Sequence, residues 1–153
     1  MSSPVGGSTD AALSAPAVGI TASTIDASAV LASVSSREHG GSVLFTGQVR
    51  DHDEGKGVIE LQYVAHPSAE AELRRVLESV GEAHPGVALA AVHRVGLLAI
   101  GDVAVAVAAG SAHRHEAFVA ARELIDRVKD EVPIWKRQVF SDGGEEWVGS
   151  PTA

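Results

Sequence analysis

The chain has 153 residues, of which 45% are apolar and 21% are charged, and its formal net charge is −8. The length and apolar content predict one folded domain with a sizeable core, while the negative charge argues against a sequence-independent grip on nucleic acid or an anionic membrane. Because there is no cysteine, any sulfur chemistry must use sulfur that a substrate or a partner brings.

The N-terminal residues and the longest apolar run bear on domain organisation and location. Residues 1–16 are rich in serine, glycine, alanine and proline, which predicts a flexible tail ahead of a single domain over residues 17–150. The apolar run 95–109 is interrupted by Asp102 and is too short to span a membrane. The N-terminus also lacks the charged and apolar regions of a secretory signal, so we expect a cytoplasmic protein.

The domain begins with a predicted strand over residues 18–23 and a short predicted helix over 26–36. Thr24 or Asp26 is the candidate N-cap of this helix, because both side chains can accept a hydrogen bond from a free backbone amide.

Two further strands, over residues 42–49 and 58–65, flank a polar loop at 51–57 that contains two glycines. This pattern predicts an antiparallel hairpin with a long, exposed tip. Arg50 follows the first of these strands, where a guanidinium beside a mobile loop could bind an anion. A solvated hairpin tip is the alternative interpretation.

A helix and two strands are predicted in the next part of the chain. The helix spans residues 70–83, and its apolar residues recur at three- and four-residue steps. The strands span 87–95 and 102–109 and are joined through the turn region 96–101. The second strand is apolar on both faces, so we expect it at the centre of its sheet.

The last predicted helix starts near Ser111, its candidate cap, and runs to about Glu131. His113 and Arg114 stand at its start, where free amides and cationic side chains favour phosphate or carboxylate binding. A capping motif with exposed cations is the alternative. His113 and His115 lack the spacing of a helical metal pair and no carboxylate cluster accompanies them, so no metal site is predicted.

Two lysines flank the end of this helix. Lys129 lies in its last turn, Pro133 ends it, and Lys136 follows on a predicted terminal hairpin with strands over 136–140 and 145–148. A lysine at a helix C-terminus usually complements the helix dipole. To act as a base near neutral pH, a lysine needs a pKa lowered by burial or by neighbouring cations.

Several motifs occur in an order that resembles the large, catalytic subunit of molybdopterin synthase. The resemblance covers roughly residues 18–148. The motifs are Phe45-Thr46-Gly47-Gln48-Val49-Arg50-Asp51-His52, His93-Arg94-Val95-Gly96 with Gly101-Asp102, Ser111-Ala112-His113-Arg114 with Ala117-Phe118, Lys129, Pro133-Ile134-Trp135-Lys136-Arg137, and Glu146-Trp147-Val148.

The resemblance implies an α+β fold, specifically an α/β-hammerhead with an additional small antiparallel sheet. It also implies a central homodimer with a small ubiquitin-like sulfur-carrier subunit at each end, making a heterotetramer. The carrier's Gly-Gly tail would enter a pocket as a thiocarboxylate. Two sulfur transfers would convert cyclic pyranopterin monophosphate into the dithiolene of molybdopterin, without any cofactor bound to this chain.

The resemblance also implies roles for individual residues. Lys129 and Lys136 match the catalytic lysines, Lys129 near the thiocarboxylate and Lys136 assisting proton transfer or holding substrate. Arg50, His113 and Arg114 match residues that line the pterin and phosphate pocket, part of which could come from the second protomer. Arg137 would extend the basic rim.

Two functions remain open from the sequence. One is this sulfurtransferase, and the other is a non-catalytic module that binds a carrier tail or a phosphorylated small ligand. Lysine at both 129 and 136 favours the enzyme, because arginine binds anions but hardly releases a proton.

Overall fold

The computed structural model describes residues 17–53 and 55–148, so the expected tail over residues 1–16 lies outside the described residues. Three helices are described: α1 (Ala27–Ala32), α2 (Ala69–Ala83) and α3 (Arg114–Glu131). The strands are β1 (Val18–Thr21), β2 (Gly41–Gln48), β3 (His52–Asp53), β4 (Lys56–Ala65), β5 (Ala88–Arg94), β6 (Gly96–Leu98), β7 (Val103–Ser111), β8 (Ile134–Phe140) and β9 (Glu145–Val148).

A four-stranded sheet in the order β1-β5-β7-β2 forms the centre of the fold. β1 runs parallel to β5, whereas the other neighbours are antiparallel. Both faces of β7 are covered: Val105 and Val107 pack in the core that includes α2 and α3, and Ala106 and Ala108 pack with α1. The predicted central position of this strand is therefore confirmed.

The two long helices bury the apolar stripes that the sequence predicts. Leu73, Val76 and Val80 of α2 pack with Leu124 and Val128 of α3 in the largest core cluster. Glu116 lies in the first turn of α3 and Lys129 in the last, so both charges complement the helix dipole. Within the described part of the chain, no helix is long and apolar enough to cross a membrane.

A five-stranded sheet follows the order β3-β4-β8-β9, with β6 also paired to β4. The predicted terminal hairpin is confirmed as β8 and β9. A small cluster of Val49, Leu61, Leu98 and Ala104 packs side chains from both sheets together. The observed class is therefore α+β, as expected, with the small second sheet held against the first.

The predicted hairpin of strands 42–49 and 58–65 is wrong, because the two strands belong to different sheets. β2 pairs with β7, whereas β4 pairs with β8. Just beyond β2 the Val49 amide still donates to the carbonyl of Asp102 (3.0 Å), and the chain leaves the first sheet after this contact. The loop that follows contains β3, which pairs only with the start of β4.

Helix starts were predicted with mixed success. The Asp26 carboxylate accepts from the Ala29 amide (3.1 Å), which confirms it as the cap of α1, although that helix ends at Ala32. Ser111 is not the cap of α3, because it pairs with Gly41 as the last residue of β7. The N-cap is His113, which makes no capping side-chain hydrogen bond.

Candidate active site

A cleft of about 230 Å³ opens between the two sheets beside the C-terminal end of α3. Its polar groups come from Tyr63 of β4, His93 of β5, Lys129 of α3 and Lys136 of β8. Its walls are otherwise apolar side chains of β7, α3, the following turn, β8 and β9. These are Val105, Ile125, Val128, Val132, Ile134 and Val148.

The fold brings the two lysines of the sequence prediction to this one cleft. α3 places Lys129 at its end, Pro133 follows, and β8 then returns Lys136 along the cleft. Lys136 pairs directly with Tyr63 across the β4–β8 ladder, so both side chains project from the same face of the sheet. No ion pair within the described residues involves either lysine. Both ammonium groups therefore keep their donors for a bound anion.

The environment of Lys136 favours loss of its proton. Burial is the largest effect and lowers its pKa, and the positive charges of Lys129 and Arg50 lower it further. The carboxylates of Asp53 and Glu146 act in the opposite direction. Lys136 is thus a half-buried ammonium whose proton is held less tightly than that of a lysine in water.

His93 is a cleft residue that the sequence prediction did not select as a site residue. Only 8% of it is exposed, and burial lowers its pKa to about 4, helped by the charge of Lys129. Its ring meets the Tyr63 ring edge-on, with 4.9 Å between centroids. The sequence feature that could have identified His93 is its position after Leu89 and Ala91 on one face of the strand. There a polar residue continues a series of apolar residues that face the core.

Arg50 stands at the edge of this group. Its side chain is 67% exposed and its Nη2 lies 3.3 Å from Oδ1 of Asp53. The other oxygen of Asp53 accepts a 2.8 Å hydrogen bond from the buried side chain of Gln138. Gln138 also donates to Glu146 (3.1 Å), so the loop carrying Arg50 is anchored to β8 and β9.

Arg137 lies on the opposite face of β8 from Lys136. It pairs with Gln62, whereas Lys136 pairs with Tyr63. Its guanidinium donates to Glu60 (2.9 Å) and to Glu145 (2.8 Å), and these hydrogen bonds raise its pKa well above the ordinary range. Arg137 is not among the residues that line the cleft.

His113 and Arg114 lie at the other end of α3 from Lys129. Lys129 lies fifteen positions after Arg114 along the helix, which is about 22 Å at the helical rise. The first residue of β2 packs closely here, because a Cβ added to Gly41 would lie 3.1 Å from the Arg114 Cα atom. One chain therefore brings Arg50, Lys129 and Lys136 together, but not His113 and Arg114.

No group of three or more histidine, cysteine, aspartate or glutamate side chains suited to a metal ion occurs among residues 17–53 and 55–148. The chemistry that the cleft itself offers is anion binding and proton donation by two ammonium groups, inside largely apolar walls.

Known proteins are similar to this chain in sequence and in fold. The family described as "MoaE protein" matches residues 20–131. The chain is 48% identical over 123 residues to molybdopterin synthase catalytic subunit 1 of Mycobacterium tuberculosis, covering 78% of this chain and 82% of that one. For the molybdopterin synthase catalytic subunit of Staphylococcus carnosus, identity is 42% over 111 residues, with 72% and 73% covered.

A solved structure of a molybdopterin synthase has a similar fold. The crystal structure of molybdopterin synthase from Staphylococcus aureus superposes with a TM-score of 0.80 at 35% identity, covering 85% of this chain and 95% of that one. This likeness confirms the expected α/β-hammerhead with its additional small sheet. The chain belongs to the MoaE protein family.

Proposed function

We propose that the chain is the catalytic subunit of a molybdopterin synthase, an enzyme of molybdenum cofactor biosynthesis. It acts as a sulfurtransferase, moving sulfur from the thiocarboxylated C-terminus of a small ubiquitin-like carrier to cyclic pyranopterin monophosphate and forming the dithiolene of molybdopterin. The observation that carries the proposal is the convergence of Lys129 and Lys136 on one cleft. Family membership and the names of the relatives support it.

The lysines suit these two reactants because thiocarboxylate and phosphate are both anionic. In the proposal Lys129 contacts the thiocarboxylate and Lys136 assists proton transfer or holds the pterin. The lowered pKa of Lys136 supports its role, since an ammonium that releases its proton more readily is a better general acid at neutral pH. The cysteine-free chain also agrees with sulfur arriving on a partner, and the proposal keeps the expected cytoplasmic location.

Arg50 contributes a cation at the cleft edge. Its ion pair with Asp53 is at the surface, where such pairs are weak, so the guanidinium can turn toward a substrate phosphate. Arg137 remains a rim residue in the proposal, but its two carboxylate partners neutralise its charge in the unliganded chain. We therefore assign Arg50 the larger share of phosphate binding.

A homodimer would explain how His113 and Arg114 reach the pocket. A groove of about 460 Å³ runs between β2 and α3 and shares Ile125 and Lys129 with the cleft. Its exposed apolar residues include Phe45 (40%) and Phe118 (60%), and β2 is an edge strand with a free side. Apolar patches of this kind favour association.

Pairing at this groove about a two-fold axis perpendicular to α3 would set the two α3 helices antiparallel. The start of one helix would then lie beside the end of the other, so that Arg114 of the partner subunit approaches Lys129. We propose that the substrate pocket is completed in this way. The carrier would dock at the β9 end of the cleft, where Val148 forms part of the wall, giving a heterotetramer.

The test is molybdopterin formation by the full chain with a thiocarboxylated carrier and cyclic pyranopterin monophosphate. Wild type should form product, and Lys129→Ala and Lys136→Ala should each lose about 100-fold or more. Lys56→Ala is the matched control, because Lys56 is the one other lysine in the sequence and lies outside the cleft.

The outcomes separate the two functions left open by the sequence. Product from wild type with full activity in both cleft variants would keep the synthase and remove the lysine mechanism. Carrier binding without any product from wild type would instead support the non-catalytic module.

A further inference from the structure

His93 is a buried polar residue of the cleft to which the proposed chemistry gives no task. It lies near the end of β5 and pairs with Val105 of β7, which also lines the cleft. Its neighbours in the core-facing row, Leu89 and Ala91, are both buried apolar residues. A histidine in this row places a polar ring at the boundary between the main core and the cleft.

The hydrogen bonding of His93 fixes which nitrogen carries the proton. Nδ1 lies 2.8 Å from the carbonyl oxygen of Arg94, and because a carbonyl only accepts, Nδ1 must be the donor. In the neutral ring the lone pair then belongs to Nε2. The pKa of about 4 keeps the ring neutral at pH 7, so Nε2 is a hydrogen-bond acceptor.

Hydrogen-bond acceptors are few in the cleft, because its other side chains are mostly donors or apolar. The ammonium groups of Lys129 and Lys136 are donors only, and the side chains of Val105, Ile125 and Val128 have no polar atom. A peptide that enters the cleft loses water from its main-chain N–H groups, and an unpaired buried N–H is costly. Among the described residues that line the cleft, the side-chain acceptors are the Tyr63 hydroxyl and the His93 Nε2 atom.

The size of the cleft favours a peptide end as the occupant near His93. About 230 Å³ lies below the roughly 300–1,000 Å³ of typical small-molecule sites. A Gly-Gly end has no side chains and is the slimmest segment that a polypeptide can offer, whereas a fused three-ring pterin phosphate is much bulkier. The narrow apolar part of the cleft therefore suits the carrier tail better than the pterin.

We propose that His93 binds the carrier tail, with Nε2 accepting a hydrogen bond from a main-chain N–H of the terminal Gly-Gly segment. This inference rests on the proposed function, because it assumes that a carrier tail enters the cleft. In this arrangement the lysines attract the anionic terminus and the imidazole holds the peptide behind it. A neutral imidazole does this without adding a third positive charge beside Lys129 and Lys136.

Two substitutions separate the acceptor from the rest of the side chain. In His93→Asn the carboxamide overlaps the Nδ1 position, so the bond to the Arg94 carbonyl is kept and the acceptor is lost. In His93→Gln the carboxamide reaches the Nε2 position and can restore an acceptor. Each full-length variant is titrated calorimetrically with a recombinant ubiquitin-like carrier that ends in Gly-Gly, and with the same carrier lacking both glycines.

We expect His93→Asn to weaken binding of the complete carrier about tenfold or more, the cost of leaving one buried N–H unpaired. His93→Gln should stay within about threefold of wild type. The carrier without its glycines should bind all three proteins equally, because it contacts the surface alone. As a measurement that needs no variant, the Nε2 resonance of ¹⁵N-histidine-labelled wild type should shift with the complete carrier only.

The contrary results are distinct. Unchanged carrier affinity in His93→Asn, or an Nε2 resonance that does not move, would overturn the proposal. If the KM for the pterin rose in the same variant while carrier affinity stayed unchanged, His93 would bind the pterin instead of the tail. Equal losses with both carriers would show that His93 only supports the fold. Failure of wild type to bind either carrier would overturn the proposed function itself, together with this inference.

Discussion

Substitution of Lys136 can separate the positive charge in the cleft from proton transfer. Arginine at 136 keeps the cation but hardly releases a proton, whereas methionine keeps an unbranched side chain without charge. We expect Lys136→Met to lower kcat at least about 100-fold, or about 2.7 kcal/mol of transition-state stabilisation. Lys136→Arg should keep KM for the pterin within about threefold while kcat stays low.

The same substitution should not weaken the fold. Burial lowers the pKa of Lys136 from 10.5, so the folded chain holds this proton less tightly than the unfolded chain. The charged ammonium therefore costs stability at any pH below its folded pKa, and the cost disappears only above 10.5. Asp53 and Glu146 offset part of that cost. At pH 7, Lys136→Met should match or exceed the Tm of wild type, as expected where function and stability conflict.

Initial rates of product formation at varied pterin concentration, with thiocarboxylated carrier, measure kcat and KM. Calorimetric unfolding at pH 7 measures the change in Tm. Lys56→Met serves as the control in both, since its ammonium lies over the Phe140 ring and outside the cleft. A Lys136→Arg variant with wild-type kcat would refute proton transfer and leave charge alone as the requirement. A Tm several degrees lower in Lys136→Met would refute the argument from burial.

Three further predictions concern stability, assembly and pH. Leu124→Ala removes a fully buried side chain and should cost about 2–5 kcal/mol, seen as a Tm roughly 4–20 °C lower; an unchanged Tm would contradict the assigned core. Phe118→Asp should convert the proposed dimer to a monomer in sedimentation equilibrium and lower activity. The control Ile59→Asp, at a similarly exposed apolar position, should do neither. A dimer that survives Phe118→Asp would exclude this interface. Hydrogen bonds from Arg127 and a second arginine lower the pKa of Glu131 to about 2. Glu131→Gln should therefore reduce the free energy of unfolding by its full amount above pH 4.5, and the reduction should disappear as the pH falls to about 2. A reduction that does not change with pH in urea unfolding would argue against this ion pairing.

Local patterns were sufficient for most secondary structure because they depend on near neighbours in the chain. The apolar stripe of α2 and the two-sided burial of β7 follow from spacing within single segments. The break at Pro133 follows equally from local geometry. Each of these features could be predicted without knowing what the segment packs against.

The terminal hairpin was predicted, but the pairing of strands distant in sequence was not, because it depends on residues outside the local pattern. The segments that became β2 and β4 have hairpin spacing, yet β2 pairs with a strand about sixty residues later and β4 with one about seventy-five residues later. The reason lies in burial: Leu61 of β4 joins the cluster between the sheets, while Val43 and Leu44 of β2 pack with the cores on either side of the first sheet. No local pattern specifies that division.

The site shows the same limit. Motif order identified Lys129 and Lys136, but the cleft walls come from β4, β5 and β7, which only tertiary pairing brings to them. His93 occurs in one of the motifs but was not selected as a site residue, and Gln138 was not singled out at all. Gln138 is only 2% exposed and joins Asp53 to Glu146, which became apparent only with β3 in place beside β4.

The net charge of −8 and a cationic cleft are compatible because most arginines are neutralised locally. Arg74, Arg75, Arg122, Arg127 and Arg137 each hold a carboxylate partner at the surface. The lysines of the cleft have no such partner within the described residues. Lys136 is half-buried, which increases the effect of its charge because the local dielectric is lower than in water, whereas Lys129 is exposed. Screening limits the field of the acidic surface to about 8–10 Å at physiological salt, so an anion inside the cleft responds mainly to the two ammonium groups. The proposed mechanism therefore depends on which cations the fold leaves unpaired, a property that composition cannot supply.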